Sequence, residues 1–160
     1  MVIFMKKLGI MSFIFIIVDI LVKVMVNSLM NVYDTISLIP SFFSITYVRN
    51  VGAAFSIMEN NRILFIVVGI VALFLIYKYL IKDKVLNNYY IVCYSMLIGG
   101  IIGNLIDRLV YGYVIDYLSF NIFGYLFPIF NLADSFIVIS VFMIIIYEIK
   151  ERGNNGKNSS

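Results

Sequence analysis

The sequence predicts an all-α membrane protein of four transmembrane helices, and three observations carry that prediction. Of the 160 residues, 62% are hydrophobic, and the mean hydropathy is +1.02. A chain this apolar would not stay soluble as a monomer. Apolar runs at about residues 8–26, 63–80, 89–106 and 131–147 approach the roughly 20 residues that a helix needs to cross a bilayer. Charged residues make up only 13% of the chain, and most stand at the ends of those runs, where topology rather than a binding patch places them. Residues 1–150 therefore read as a single integral membrane domain, with 151–160 as a polar, frayed tail. The net charge of +3 is too small for a nucleic-acid signature, and no nucleic-acid partner is expected.

The first run follows Lys6 and Lys7. It is too long for a cleavable signal peptide and lacks a small-x-small cleavage site, so a retained span is expected. Asp19 and Lys23 interrupt it, one turn apart with the acid first, the favourable order on a helix. An internal ion pair that makes the helix tolerable in lipid accounts for them, and support of a nearby active site is compatible with it.

Residues 27–62 form the long connection. Asn31, Asp34, Ser37, Pro40 and Ser41 give turn character. Phe42 to Val48 is rich in aromatic and β-branched residues and predicts a strand or hairpin. Gly52 permits a tight turn or a close backbone approach. The Ala-Ala-Phe-x-Ile-Met run at 53–58 fits either a short helix on the membrane surface or a hydrophobic loop packed on the bundle.

The second run is bounded by Arg62 and Lys78, and a charged turn, Lys82-Asp83-Lys84, leads to the third. There Gly99 and Gly103 stand four apart, a spacing that lets another helix approach closely. Cys93, the only cysteine, reads as a small buried hydrophobe. Asn104, Asp107 and Arg108 lie where this span ends, and helical spacing lets Asn104 meet either of the other two. The fourth run has Pro128 before it, Asn131 as a candidate N-cap and Asp134 at the third helical position, where a capping-box acid stands.

Lysine and arginine set the orientation. Lys6, Lys7, Lys78, Lys82, Lys84, Lys150, Arg152 and Lys157 fall on one side, and Arg49, Arg62 and Arg108 on the other. The positive-inside rule puts both termini in the cytoplasm and Asp107, Arg108, Asp116 and Asp134 at the outer boundary.

The chain has no histidine. That removes His-based zinc sites and the Ser-His and Cys-His pairs, and leaves carboxylates, lysines and tyrosines for acid–base work. Asp116 follows the third span and Asp134 begins the fourth, so adjacent antiparallel helices would bring them to similar depth. Two nearby carboxylates share a proton and titrate as a unit. Such a pair activates water with one member and protonates the carbonyl or leaving amine with the other, which makes peptide hydrolysis possible without metal or cofactor. Capping plus surface charge is the other account of the same two residues.

Four motifs together resemble the lipoprotein signal peptidases, the bacterial type II signal peptidases. They are Asp-x-x-x-Lys (Asp19, Lys23), Asn-x-Gly-Ala-Ala-Phe (Asn50 to Phe55), Gly-Asn-x-x-Asp-Arg with Gly-x-Val-x-Asp (Gly103 to Asp116), and Phe-Asn-x-Ala-Asp-Ser (Phe130 to Ser135). The resemblance implies that Asp116 and Asp134 are catalytic, that Asn50, Gly52, Asn104, Arg108 and Asn131 line the substrate site, and that Asp19, Lys23 and Asp107 support it. It also implies a small extracytoplasmic β-sheet and a short surface helix. The implied partners are prolipoproteins carrying a diacylglyceryl cysteine, membrane lipid and globomycin-type cyclic peptide antibiotics, with the enzyme a monomer in the cytoplasmic membrane. Ile20 stands where the family usually has glutamine, and Tyr117 where it usually has phenylalanine. A small proton- or ion-coupled carrier and a non-catalytic assembly factor packing through Gly99 and Gly103 are the competing readings.

Overall fold

The computed structural model describes residues 2–52, 61–82 and 86–157. Among them four helices carry the chain, α1 (Val2–Leu29), α2 (Arg62–Leu75), α3 (Asn88–Val110) and α4 (Leu132–Lys157). A π-helical turn, Ile76–Ile81, continues α2. With it included, each of the four is long and apolar enough to cross a membrane. The expected short helix at 53–58 lies outside the described residues.

The third helix is the centre of the bundle. Protein buries 56% of its most apolar window, against 22, 6 and 11% for the first, second and fourth spans. Its glycines explain why. A Cβ on Gly99 would stand 2.6 Å from that of Phe15 on α1, one on Gly100 would meet the Ala133 carbonyl oxygen of α4, and one on Gly103 would meet the Asp19 carboxylate. Bare backbone at these positions lets two neighbours pack on α3 at once. The small-residue patch is thus wider than the Gly99/Gly103 spacing indicates.

The connection predicted to hold a strand or hairpin holds a hairpin, β1 (Thr35–Ile39) and β2 (Phe43–Asn50). Two further strands, β3 (Val114–Ile122) and β4 (Tyr125–Leu126), complete an antiparallel sheet in sequence order. Residue pattern alone did not indicate β3. Its first four residues are buried on both faces, so the inside–outside alternation that marks a strand is absent. Ile115 and Tyr117 pack with Val26 and Tyr47 beneath the sheet, which seats β3 on the end of α1.

One irregularity matters for the site. Ile45 pairs with Leu118, but Val48 pairs with Asp116, so β2 spends one extra residue between them. Asn50 is an odd number of positions from Ile45 and on a regular strand would face away from Asp116. The bulge returns it to the Asp116 side.

Two boundaries differ from expectation. The third helix runs on to Val110, so Asp107 and Arg108 are in its closing turns rather than in a belt beyond it. The fourth reaches Lys157, so residues 151–157, expected to be frayed, continue the helix.

Candidate active site

The fourth helix begins at a reciprocal cap. Asn131 Oδ1 accepts from the Asp134 N–H at 2.9 Å, and the Asn131 N–H donates to Asp134 Oδ2 at 3.3 Å. This is the capping box read from sequence, with both orphan donors satisfied. The cap residue has a second use. Asn131 Nδ2 donates to Asp116 Oδ1 at 2.6 Å and to Asn104 Oδ1 at 3.2 Å. One buried amide therefore joins the strand bearing Asp116 to the helix end bearing Asp134.

Each carboxylate takes further donors. Asn50 Nδ2 donates to Asp116 Oδ2 at 2.8 Å, and the Asn50 Oδ1 is held by the Gly52 N–H at 2.9 Å. Asn104 Nδ2 donates to Asp134 Oδ1 at 2.7 Å. Helical spacing allowed Asn104 to meet Asp107 or Arg108, but its side chain turns the other way. Arg108 reaches only its backbone carbonyl, at 3.3 Å. The Arg108 guanidinium also lies over the Phe65 ring at 5.0 Å and donates a long bond, 3.5 Å, to the Gly52 carbonyl.

Both acids open into a single cavity of about 350 Å³, lined also by Asn50, Gly52, Asn104, Arg108, Phe65 and Phe127 to Phe130. A few polar and charged groups stand among apolar and aromatic ones, the mix expected of a small-ligand or peptide site. Asp116 is 2% exposed. Burial pushes its carboxyl up to about 7, and the negative charge of Asp134 adds to the rise.

Behind the cavity lies a buried ion cluster. Lys23 pairs with Asp19 at 2.8 Å and with Asp107 at 3.0 Å. The internal pair read from sequence is thus a triad, because α3 contributes Asp107. Of the residues singled out in the sequence, Asn50, Gly52, Asn104, Arg108, Asp116 and Asp134 line the cavity, while Asn131 and the triad stand behind it.

Sequence reasoning missed two contacts. Tyr117 Oη accepts from the Leu132 N–H at 3.2 Å, so the hydroxyl that phenylalanine would lack satisfies a first-turn amide of α4. Asp107 Oδ2 accepts from the Ile115 N–H at 3.0 Å. The first shows only once β3 meets the start of α4, the second only once it meets the end of α3.

The family described as signal peptidase (SPase) II matches residues 11–150. Lipoprotein signal peptidases of Staphylococcus aureus strains JH9 and Newman are each 40% identical over 139 residues, covering 87% of this chain and 85% of theirs. Two solved structures described as bacterial membrane enzymes, determined by the in meso method, are 37% identical. One superposes with a TM-score of 0.84 over 93% of this chain and 91% of its own, the other with 0.81 over 91% and 94%. Four apolar helices, an end-on antiparallel sheet and matches over most of the chain's length place it in the signal peptidase II family.

Proposed function

We propose that this chain is an aspartyl endopeptidase that removes prolipoprotein signal peptides, cutting just before an S-diacylglyceryl cysteine, with Asp116 and Asp134 as its catalytic pair. Family membership supports the peptidase activity, the prolipoprotein substrate and a multi-pass place in the bacterial inner membrane. One observation carries the mechanism. Two carboxylates from different elements meet one cavity and share the Asn131 side chain, which donates to one and caps the helix of the other.

The pair works with one proton between them. The ionised carboxylate takes a proton from water as the water oxygen attacks the scissile carbonyl carbon, and the protonated carboxyl gives its proton to the carbonyl oxygen. Collapse of the tetrahedral species breaks the C–N bond. The amine of the lipidated cysteine leaves with the proton first taken from water, and both carboxyls return to their starting states. Arg108 and Asn50 offer donors for the substrate backbone along the cavity wall, and the Gly52 carbonyl offers an acceptor. The apolar lining at Phe65 and Phe127 to Phe130 suits the signal-peptide segment and the neighbouring acyl chains, and cyclic peptides of the globomycin type would occupy the same space. The enzyme is read as a monomer whose peptidase domain is residues 1–150. The lysine-rich ends support cytoplasmic termini and an outward-facing site.

Purified protein in lipid is expected to cut a prolipoprotein carrying diacylglyceryl on its cysteine and to leave the unlipidated form intact, read on a gel. Cleavage of neither form sinks the proposal. Activity is expected to fall as pH rises through about 7, the value to which Asp116 is pushed, because a pair stripped of its shared proton has no general acid. A rate that keeps climbing well above that pH would show that Asp116 does not belong to the titrating pair.

A further inference from the structure

Lys23 holds a place that the reaction scheme does not use. The residue is 1% exposed, and its ammonium has three partners: Asp19 Oδ2 at 2.8 Å, Asp107 Oδ2 at 3.0 Å and Asn104 Oδ1 at 2.9 Å. The carboxylate contacts are ion pairs and the Asn104 contact a hydrogen bond; an ammonium only donates, so each partner turns an oxygen toward it.

Each partner leads on to the aspartate pair. Asp19 Oδ1 accepts from the Ala133 N–H at 3.0 Å, and Ala133 immediately precedes Asp134. Asp107 Oδ2 accepts from the Ile115 N–H at 3.0 Å, and Ile115 immediately precedes Asp116. Asn104 passes its own N–H to Asp134 Oδ1. The backbone ahead of each acid is thus tied, through one carboxylate, to the same lysine.

We propose that Lys23 is the positioning residue of the Asp116–Asp134 pair, fixing both the spacing of the two carboxyls and the direction of the hydrogen bonds they receive; this rests on the dyad reading above. The direction follows from chemistry. Because the ammonium only donates, the Asn104 oxygen must face it, and the Asn104 N–H is left to face Asp134. The Asn131 amide completes the chain, donating to Asn104 Oδ1 and Asp116 Oδ1. Without Lys23, only the 3.2 Å bond from Asn131 would keep the Asn104 amide from turning over and setting its oxygen against the Asp134 carboxylate.

A structural ion cluster and a positioning residue make different predictions. Replacing a buried ion group by neutral groups of similar shape is often neutral or stabilising, so stability and turnover should separate. The triple variant Asp19→Asn/Lys23→Met/Asp107→Asn tests this. The introduced amides keep an oxygen for the Ala133 and Ile115 N–H groups, and methionine keeps most of the lysine stem, but Asn104 Oδ1 loses its 2.9 Å donor and keeps only the longer one from Asn131. The thermal midpoint in lipid is expected to stay near that of the parent. kcat on lipidated prolipoprotein is expected to fall about ten- to a hundredfold, the scale of a small misplacement of reacting groups. KM should hold within about twofold, since none of the three substituted residues lines the cavity. Lys23→Gln, which keeps one donor toward Asn104, should recover part of the lost kcat.

Parent-like kcat in the folded triple variant, or a raised KM with kcat unchanged, overturns the proposal. If the triple variant does not fold, Lys23→Gln decides, and parent-like kcat there overturns it as well. Failure of both to fold also overturns it, because the lysine is then a structural ion alone. Asp116→Asn run alongside separates the two readings. If that variant stays active, the dyad reading is lost; if it is inert while the triple variant is parent-like, only the role of Lys23 is lost.

Discussion

Asp116→Asn is expected to give a folded protein whose kcat on lipidated prolipoprotein is lower by about four orders of magnitude, as when one member of a catalytic unit is removed. The substitution keeps size and shape. The introduced amide oxygen still accepts from Asn131 Nδ2, but its nitrogen then faces Asn50 Nδ2, and Asn50 cannot turn over without releasing the Gly52 N–H. One donor–donor clash costs about 1–3 kcal/mol, enough to lower the thermal midpoint without unfolding the chain. The chemical loss is larger because the introduced amide neither takes a proton from water nor gives one to a carbonyl. Asp134→Asn should match it within about tenfold, since the two acids act as one unit. Unequal losses would mean that one acid is the general base and the other mainly a cap. Retention of most activity by both would return the pair to helix capping and surface charge.

The span pattern was legible because hydropathy is a local property. Each of the four apolar runs became a helix, and the first and fourth helices run well past the apolar runs, to Val2 and Lys157. The third also continues, past Ile106. Asp107 reads as a terminator in sequence, yet inside the bundle it meets Lys23 and the Ile115 N–H and the helix runs on. The strand with Asp116 was hidden because burial on both faces erases alternation. The bulge in β2 was also hidden, since only pairing with β3 shows that a residue is extra. Candidate site residues were legible as motifs at span ends, but their grouping was not. Sequence spacing let Asn104 meet Asp107 or Arg108, whereas packing turned it to Asp134 and Lys23. The carrier reading loses ground for the same reason. Asp116, Asp134 and Arg108 converge on one cavity, with the Asp19–Lys23–Asp107 cluster bonded to the same groups, instead of forming a file along the helices, as a relay across the membrane would need.

Asn131 offers the sharpest separation of a fold role from a site role, because the same side chain performs both. Asn131→Ala should cost about 1 kcal/mol of stability for the lost cap. It should also lower kcat by about a hundredfold or more, since Asp116 loses its 2.6 Å donor and preorganised donors in a water-poor site are worth several kcal/mol. Asn131→Ser divides the two effects. Serine is as good an N-cap as asparagine, so its hydroxyl can accept the Asp134 N–H and restore the thermal midpoint. It is one heavy atom shorter than asparagine and does not span to Asp116 or Asn104. The expected result is a variant with parent-like stability and alanine-like kcat. If serine restores both, Asn131 is a cap and no more, the short bond to Asp116 is a by-product of packing, and the link between the two acids must run through Asn104 and Lys23 instead.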